Sequence, residues 1–509
     1  MFVKREWHGV AVIVASLFFF QTTTFAQKKI LTLDQAIDIA LEKSYEMKRL
    51  RLLTIQAEEN LSAAKGRFKT NASMSMDVPY WRESVVEIPV ENGLPVYNTT
   101  GDFQYQGTLD INQPLPTDGV FTLSSRLYHR DVSTFKSLGD EVKRKEVYSS
   151  LGLNFSQPFF TINRLKLGLK QANLEYDRTL RIFKRSELEN VYQVTQAFFQ
   201  LYAATGQMEI ASENVEQQQE LYDLAKKKFD AGLIAEVGAL QFEVDLAQSR
   251  NDLAVAEGEL KRTEDYFKQL IGLDLTDDIG VEADLQFARV FVDLDRAIEL
   301  ALKNRSEIKE GQIDVELARL SVKETDARSE VYGELLASYD LTGISDPTLP
   351  YSSSPRSLFN SSLDDMERRP NNRSVIFRLS VPLWDWGVNA AEVARAEAGL
   401  HSAELDLVEQ KKTIIREVRA AVDRLQQAEN RYEVLKKNQD VAQKLFDISV
   451  QRFNNGDILS QDLADDRNRL TQAKFSLLQA YTDYKTALAD LQRKTMWDFE
   501  KDKSLVDEN

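Results

Sequence analysis

The sequence predicts a mainly α-helical chain that also carries a membrane β-barrel, with tandem-duplicated long coiled-coil helices and two groups of β-strands set between them. Three observations predict it. All 11 Pro lie in two windows, Pro79 to Pro158 and Pro347 to Pro382. Residues 159–346 and 383–509 are therefore free of Pro and rich in Ala, Leu, Glu, Gln, Lys and Arg, as long helices require. The two halves repeat one another, and the Pro windows carry a period-2 apolar pattern.

Composition narrows the function classes. The 509 residues contain no Cys, so disulfides, thiolate nucleophiles and thiolate metal sites are excluded. Three His, at positions 8, 129 and 401, are too few and too scattered for a His-based metal or triad centre. A formal net charge of −16 argues against a nucleic-acid partner, which calls for clustered Lys and Arg. No nucleophile with its base and no phosphate loop is legible, so an enzyme is not expected, nor a cofactor or metal.

The elements follow in order. Residues 1–26 read as a signal peptide cut after Ala26: Lys4 and Arg5 precede an apolar run from Val10 to Phe20, too short to span a bilayer. Without a Cys after the cut, no lipid anchor is expected. Residues 27–70 read as the helix opening the first repeat, and 294–334 as its counterpart. Leu33-Asp34-Gln35-Ala36-Ile37 recurs as Leu294-Asp295-Arg296-Ala297-Ile298, each followed by an Ala-Leu pair. Pro158 matches Pro382, Phe229 matches Phe453 and Gly232 matches Gly456, all at an offset of 224.

Residues 158–272 and 384–497 then read as two helical hairpins, turning at Gly232 and Gly456. From Pro158 to Gly232 a continuous helix would run about 110 Å at 1.5 Å per residue. Leu463, Leu470, Leu477, Tyr484 and Leu491 recur every seven residues, with Ala473, Ala480 and Ala487 beside them. The first half has Leu246, Leu253, Leu260 and Phe267, with Ser249, Ala256 and Thr263. A sustained seven-residue repeat imposes left-handed coiled-coil packing, and small seam residues let the backbones approach.

Residues 71–157 and 335–383 read as strands and loops. Phe103, Tyr105, Leu109 and Ile111 alternate with polar residues, as do Ala72, Met74 and Met76, Leu151, Leu153 and Phe155, and Val375, Phe377 and Leu379. Barrel strands of about 9–11 residues show this alternation, with aromatics such as Trp81, Trp384 and Trp386 at their ends. The first window is longer than the second, and Leu109-Asp110-Ile111-Asn112-Gln113-Pro114 resembles Leu153-Asn154-Phe155-Ser156-Gln157-Pro158. That internal likeness predicts an extra hairpin over 103–128, hence six strands: 71–80, 103–112, 120–128, 150–157, 335–342 and 374–383. Segments 81–102, 129–149 and 343–373 read as the longer, outward loops. Residues 273–293 connect the repeats, and 498–509 form a polar tail. A periplasmic or surface-attached coiled-coil scaffold without a pore is the alternative reading.

In order, spacing and duplication these residues resemble the TolC-like outer membrane factors, over nearly the whole chain after residue 26. The features that carry the likeness are the Leu-Asp-x-Ala-Ile openings, the junctions Ser156-Gln157-Pro158-Phe159 and Ser380-Val381-Pro382-Leu383-Trp384, and the turns Lys228-Phe229-Asp230-Ala231-Gly232 and Arg452-Phe453-Asn454-Asn455-Gly456. The resemblance implies a homotrimer in a Gram-negative outer membrane, each protomer giving four strands to one barrel and its helices to a periplasmic tunnel. It implies an exit duct for a tripartite efflux pump or a type I secretion system. The partners would be outer-membrane lipid, a periplasmic adaptor docking at the turns (Phe229, Gly232, Phe453, Gly456) and an inner-membrane transporter of RND, ABC or MFS type.

The family closes its periplasmic end with acids after the second turn glycine, which places Asp462 and Asp465 at a constriction and Asp466 on plain surface. Residues 453, 458 and 238, where the best-known member has polar locks, are Phe, Ile and Gly here. Closure is therefore expected to rest on other contacts. The cargo is not written in the sequence.

Overall fold

The computed structural model describes residues 29–89, 94–135, 141–283 and 287–505. The signal-peptide segment 1–26 and the last four residues of the tail lie outside the described residues. By contact the chain divides into two units, one of residues 1–45, 191–289 and 427–486, the other of residues 46–190, 290–426 and 487–509. Three helices pass through both: α3 (Arg164–Asp230), α8 (Val388–Asn455) and α9 (Ser460–Thr495). Together with α4 (Glu236–Ile271) they carry the repeat, since α8 starts 224 residues after α3, and α9 224 after α4.

In the first unit, β1 (Lys29–Leu31) lies parallel to β6 (Ile279–Val281). Helix α1 (Leu33–Lys43) starts in a capping box, Thr32 and Gln35 each bonding the other's backbone N–H. Its Ala36 and Ala40 are fully buried, four residues apart on one face, in a core with Leu31, Phe198, Phe267 and Ile271. At the offset of 224 the heptad positions largely match: Leu246 and Leu470 are buried, as are Phe267 and Leu491, and Leu253 and Leu477 are half-buried, whereas Leu260 is half-buried and its equivalent Tyr484 buried.

Helix α4 ends at Gly272, φ +80°, where Leu273 N–H donates to the Lys268 carbonyl at 2.9 Å. This six-to-one bond closes the last turn and requires the left-handed backbone that glycine adopts without strain. Gly232 has the same conformation, φ +75°, and the same bond, but open space where a Cβ would stand; at Gly272 a Cβ would sit 2.5 Å from the Lys43 carbonyl oxygen. Gly232→Ala should therefore cost only the left-handed penalty, about 1–2 kcal/mol. Gly272→Ala should cost about 1–3 kcal/mol more through overlap with backbone. Thermal melts of the two detergent-solubilised variants check this, and equal losses would contradict it.

The second unit holds α2 (Tyr45–Gly66), α5 (Leu294–Asn304) and α6 (Ser306–Asp326) and a six-stranded antiparallel sheet. The single helices expected over 27–70 and 294–334 are each broken in two, at Ser44 and Arg305, whose backbones are extended (ψ 145° and 126°). Each break residue still gives its N–H to the preceding turn, Ser44 to Ala40 and Arg305 to Ala301, both at 3.0 Å. The Arg305 guanidinium is fixed by Glu307 at 2.5 Å and Glu417 at 2.6 Å, which holds that break in place.

The sheet runs β2 (Asn71–Ile88), β3 (Val96–Pro114), β4 (Val120–Phe135), β5 (Glu141–Phe159), β7 (Tyr332–Ile344), β8 (Asn372–Ser380), in that spatial order. A strand stands at each of the six segments read as one. The first four run well past their expected ends, so most of 81–102 and 129–149 is strand and not loop. Polar and apolar residues mix on both faces there, which erases the alternation, and charge pairs join the strands: Arg82 with Asp102 at 3.3 Å, Arg130 with Asp102 at 2.8 Å and with Glu146 at 3.4 Å.

Segment 343–373 is not all loop either, because Ser354 caps helix α7 (Pro355–Arg368), with Pro355 in its first turn. Pro158 stands at the end of β5 and not at the start of a helix. It stays in β5 opposite Glu334, beyond the point where β4 begins at Val120, so no strand on that side needs its missing N–H. Helix α3 starts only at Arg164, capped by Asn163, whose Oδ1 accepts from Lys166 N–H at 2.8 Å. Pro382 lies in the connection after β8, which ends at Ser380 rather than 383. The tail is partly structured, with β9 (Trp497–Asp498) antiparallel to β10 (Lys503–Ser504).

Candidate functional site

The residues read as docking and closing features gather at the hairpin turns of the first unit. At the second turn Gly456, φ +85°, accepts the chain in left-handed conformation, and Asp457 N–H donates to the Arg452 carbonyl at 2.9 Å. The same bond pattern at Gly232 makes the turns backbone equivalents, but not their phenylalanines. Phe229 is 39% exposed, whereas Phe453 is 3% exposed. Phe453 sits edge-on to Phe242 at 5.7 Å, among Leu221, Phe446, Leu463 and Leu470. The expectation that both present a docking surface is corrected for Phe453, whose ring is taken up by the core. The exposed apolar side chains at the turns are instead Leu233, Val237 and Leu459, each more than 70% exposed.

Asp462 and Asp465 are exposed on one face in the first turns of α9. Asp462 accepts from Leu459 N–H at 3.2 Å, a favourable place for a carboxylate at a helix N-terminus. Asp465 accepts from Gln461 at 3.1 Å. Asp466, expected on plain surface, is taken up internally: Ser449 Oγ donates to it at 2.6 Å and Arg469 at 3.1 Å.

Two residues here had no role in the sequence reading. Lys228 Nζ lies 4.6 Å over the Phe453 ring and donates to the carbonyls of Phe453 (2.6 Å) and Asn454 (3.2 Å). An ammonium on the last carbonyls of α8 satisfies acceptors the helix leaves free. In the sequence it stood only at the end of the run Lys226-Lys227-Lys228 and at the start of the turn Lys228-Phe229-Asp230-Ala231-Gly232, with no role assigned. Arg467 is 4% exposed, and its burial holds its pKa below the usual Arg range despite the nearby Asp245 charge. Among the described residues no group of three or more His, Asp or Glu could hold a metal ion, and no helix is long and apolar enough to cross a membrane.

The family model described as outer membrane efflux protein matches residues 120–273 and 297–495, both helical hairpins and four of the six sheet strands. The chain belongs to the outer membrane efflux protein family. Among solved structures, the CmeC outer membrane channel of Campylobacter jejuni is similar at 14% identity, TM-score 0.66, over 91% of this chain and 85% of that one. CusC, a transmembrane channel, matches at 16% identity and TM-score 0.64, over 96% and 98%. VceC of Vibrio cholerae matches at 14% and 0.63, over 91% and 95%. At such identities these neighbours establish the fold. No curated protein matches the sequence. As a member of this family the chain is an outer-membrane efflux channel of the Gram-negative type. Such channels are not enzymes.

Proposed function

We propose that the protein works as a homotrimer, the outer-membrane exit duct of a tripartite efflux pump, receiving cargo from a periplasmic adaptor and an inner-membrane transporter. The helical hairpins line its periplasmic tunnel. Asp462 and Asp465 form two stacked rings of carboxylates at the constriction, which favours cations. The observation that carries the reading is the exposure of both carboxylates at the start of α9, next to turns whose apolar side chains Leu233, Val237 and Leu459 are uncovered. Those uncovered residues are the surface offered to the adaptor.

In planar bilayers the purified trimer should conduct with cation preference, and Asp462→Asn with Asp465→Asn should lower that preference several-fold. A non-conducting, water-soluble mature protein would overturn the reading in favour of a scaffold. Whether efflux or type I secretion is served depends on the transporter. Cross-linking from Leu233→Cys in whole cells, in a chain with no other Cys, should capture the adaptor and through it the pump. Recovery of a secretion ABC transporter instead would reassign the duct.

A further inference from the structure

The sheet has six strands per chain, and the family match begins at β4, so β2 and β3 stand ahead of it. The two faces of this sheet are chemically distinct across all six strands. Through the ladder, one face of the lower half reads Met74 and Met76 on β2, Leu109 and Ile111 on β3, Phe121 and Leu123 on β4, Leu151, Leu153 and Phe155 on β5, Leu335 and Leu341 on β7, Val375 and Phe377 on β8. Phe121 stacks on Phe155 at 4.5 Å within that band.

The opposite face is hydrogen-bonded: Ser75 to Thr108 (3.2 Å), Asn112 to Asn71 (3.2 Å), Thr122 to Asn112 (2.7 Å), Ser156 to Glu334 (2.9 Å), Ser338 to Ser374 (2.7 Å). The apolar band thus continues over β2 and β3 without a break. A pair folded onto a finished barrel would have no reason to keep it.

The turn between β3 and β4 is also built into the helical end of the sheet. Asp118 accepts from Arg164 N–H at 3.1 Å and Leu165 N–H at 3.3 Å, supplying a carboxylate to the start of α3. Asn163 donates to the Pro116 carbonyl at 2.8 Å, and Gln157 to the Thr117 carbonyl at 3.0 Å. The outer edges are bare: all nine residues of β8 are exposed, and all but one of β2. Open edges are not tolerated in hydrocarbon, where every backbone group must be paired. Because the strand number is even and every neighbour antiparallel, β2 of one copy meets β8 of the next antiparallel as well, so copies close without a mismatched seam.

We infer that all six strands of each chain form lipid-facing wall, with β2 of one copy hydrogen-bonded to β8 of the next. This rests on the trimeric channel reading, under which three copies of the six give 18 strands where four per protomer would give about 12. Barrel diameter grows roughly linearly with strand number, so the outer-membrane pore is about half again as wide as with four strands from each chain.

The test uses single Cys variants of the full chain, each checked for trimers on native gels, labelled with a thiol fluorophore and reconstituted in vesicles of brominated phosphatidylcholine. Met74→Cys and Leu109→Cys should be quenched at least about twofold more than Ser75→Cys and Thr108→Cys, as Val375→Cys on β8 should be. Quenching of Val375→Cys without Met74→Cys and Leu109→Cys, or equal quenching of both faces of β2 and β3, overturns the inference and leaves the channel standing. Absence of quenching at all five positions overturns the channel reading itself.

Discussion

Asp490→Ala should lower stability by about 3–5 kcal/mol, the cost of breaking a buried ion cluster by removing one partner. The Asp490 side chain is 4% exposed and faces three cations: Arg493 at 2.6 Å, Lys494 at 2.8 Å and Arg424 at 3.3 Å. Burial pushes its carboxyl up, but hydrogen bonds from Lys494 and Arg493 and their charges outweigh burial and hold it below the usual Asp range. Its loss takes one carboxylate from Arg493, which Glu189 also engages, and the counter-charge it supplies from Lys494.

The pH dependence has a definite sign. A group with a depressed folded-state pKa contributes stability that is present above its unfolded value and is lost as pH falls through the folded one. For Asp490 that window opens below about pH 4, the ordinary Asp range. Melts of the detergent-solubilised protein should therefore show wild type losing part of its advantage over Asp490→Ala as pH drops below about 4. A constant gap through that range would remove Asp490 from the account.

The helical half of this chain was legible because its signals are categorical. Pro is excluded from 159–346 and 383–509, and the seven-residue spacing of Leu463, Leu470 and Leu477 is visible without coordinates. The strands were legible only where one face is apolar. From about Arg82, Asp102, Arg130 and Glu146 outward polar and apolar residues mix on both faces, the period-2 pattern vanishes, and strand reads as loop. The breaks at Ser44 and Arg305 were missed because each is set by a single extended residue in good helical sequence. At the turns, Asp462 and Asp465 were named only through the family resemblance, which sets acids after the second turn glycine, since their spacing alone reads as a solvated helix start. Lys228 could not be named, because its acceptors are backbone carbonyls of residues 225 and 226 positions away.

The repeat itself misled at the phenylalanines, and the second large effect follows from this. Phe229 and Phe453 are equivalent across the offset of 224, but Phe242, against which Phe453 packs, has Asp466 as its own equivalent. Asp466 is engaged by Ser449 and Arg469, so the second repeat offers Phe229 no matching ring. Phe453→Ala should then open a cavity among Phe242, Phe446, Leu463 and Leu470 and remove the ring beneath Lys228, costing about 3–5 kcal/mol. Phe229→Ala, at a side chain 39% exposed, should cost less than about 1 kcal/mol. Lys228→Met separates the contributions, since it keeps the apolar stem and removes the ammonium from the Phe453 and Asn454 carbonyls. Helical circular dichroism melts of the three variants give the order Phe453→Ala, Lys228→Met, Phe229→Ala from most to least destabilised. Equal melting temperatures for the two Phe variants would mean that the turns pack alike and that the asymmetry between the repeats does not govern this end of the hairpins.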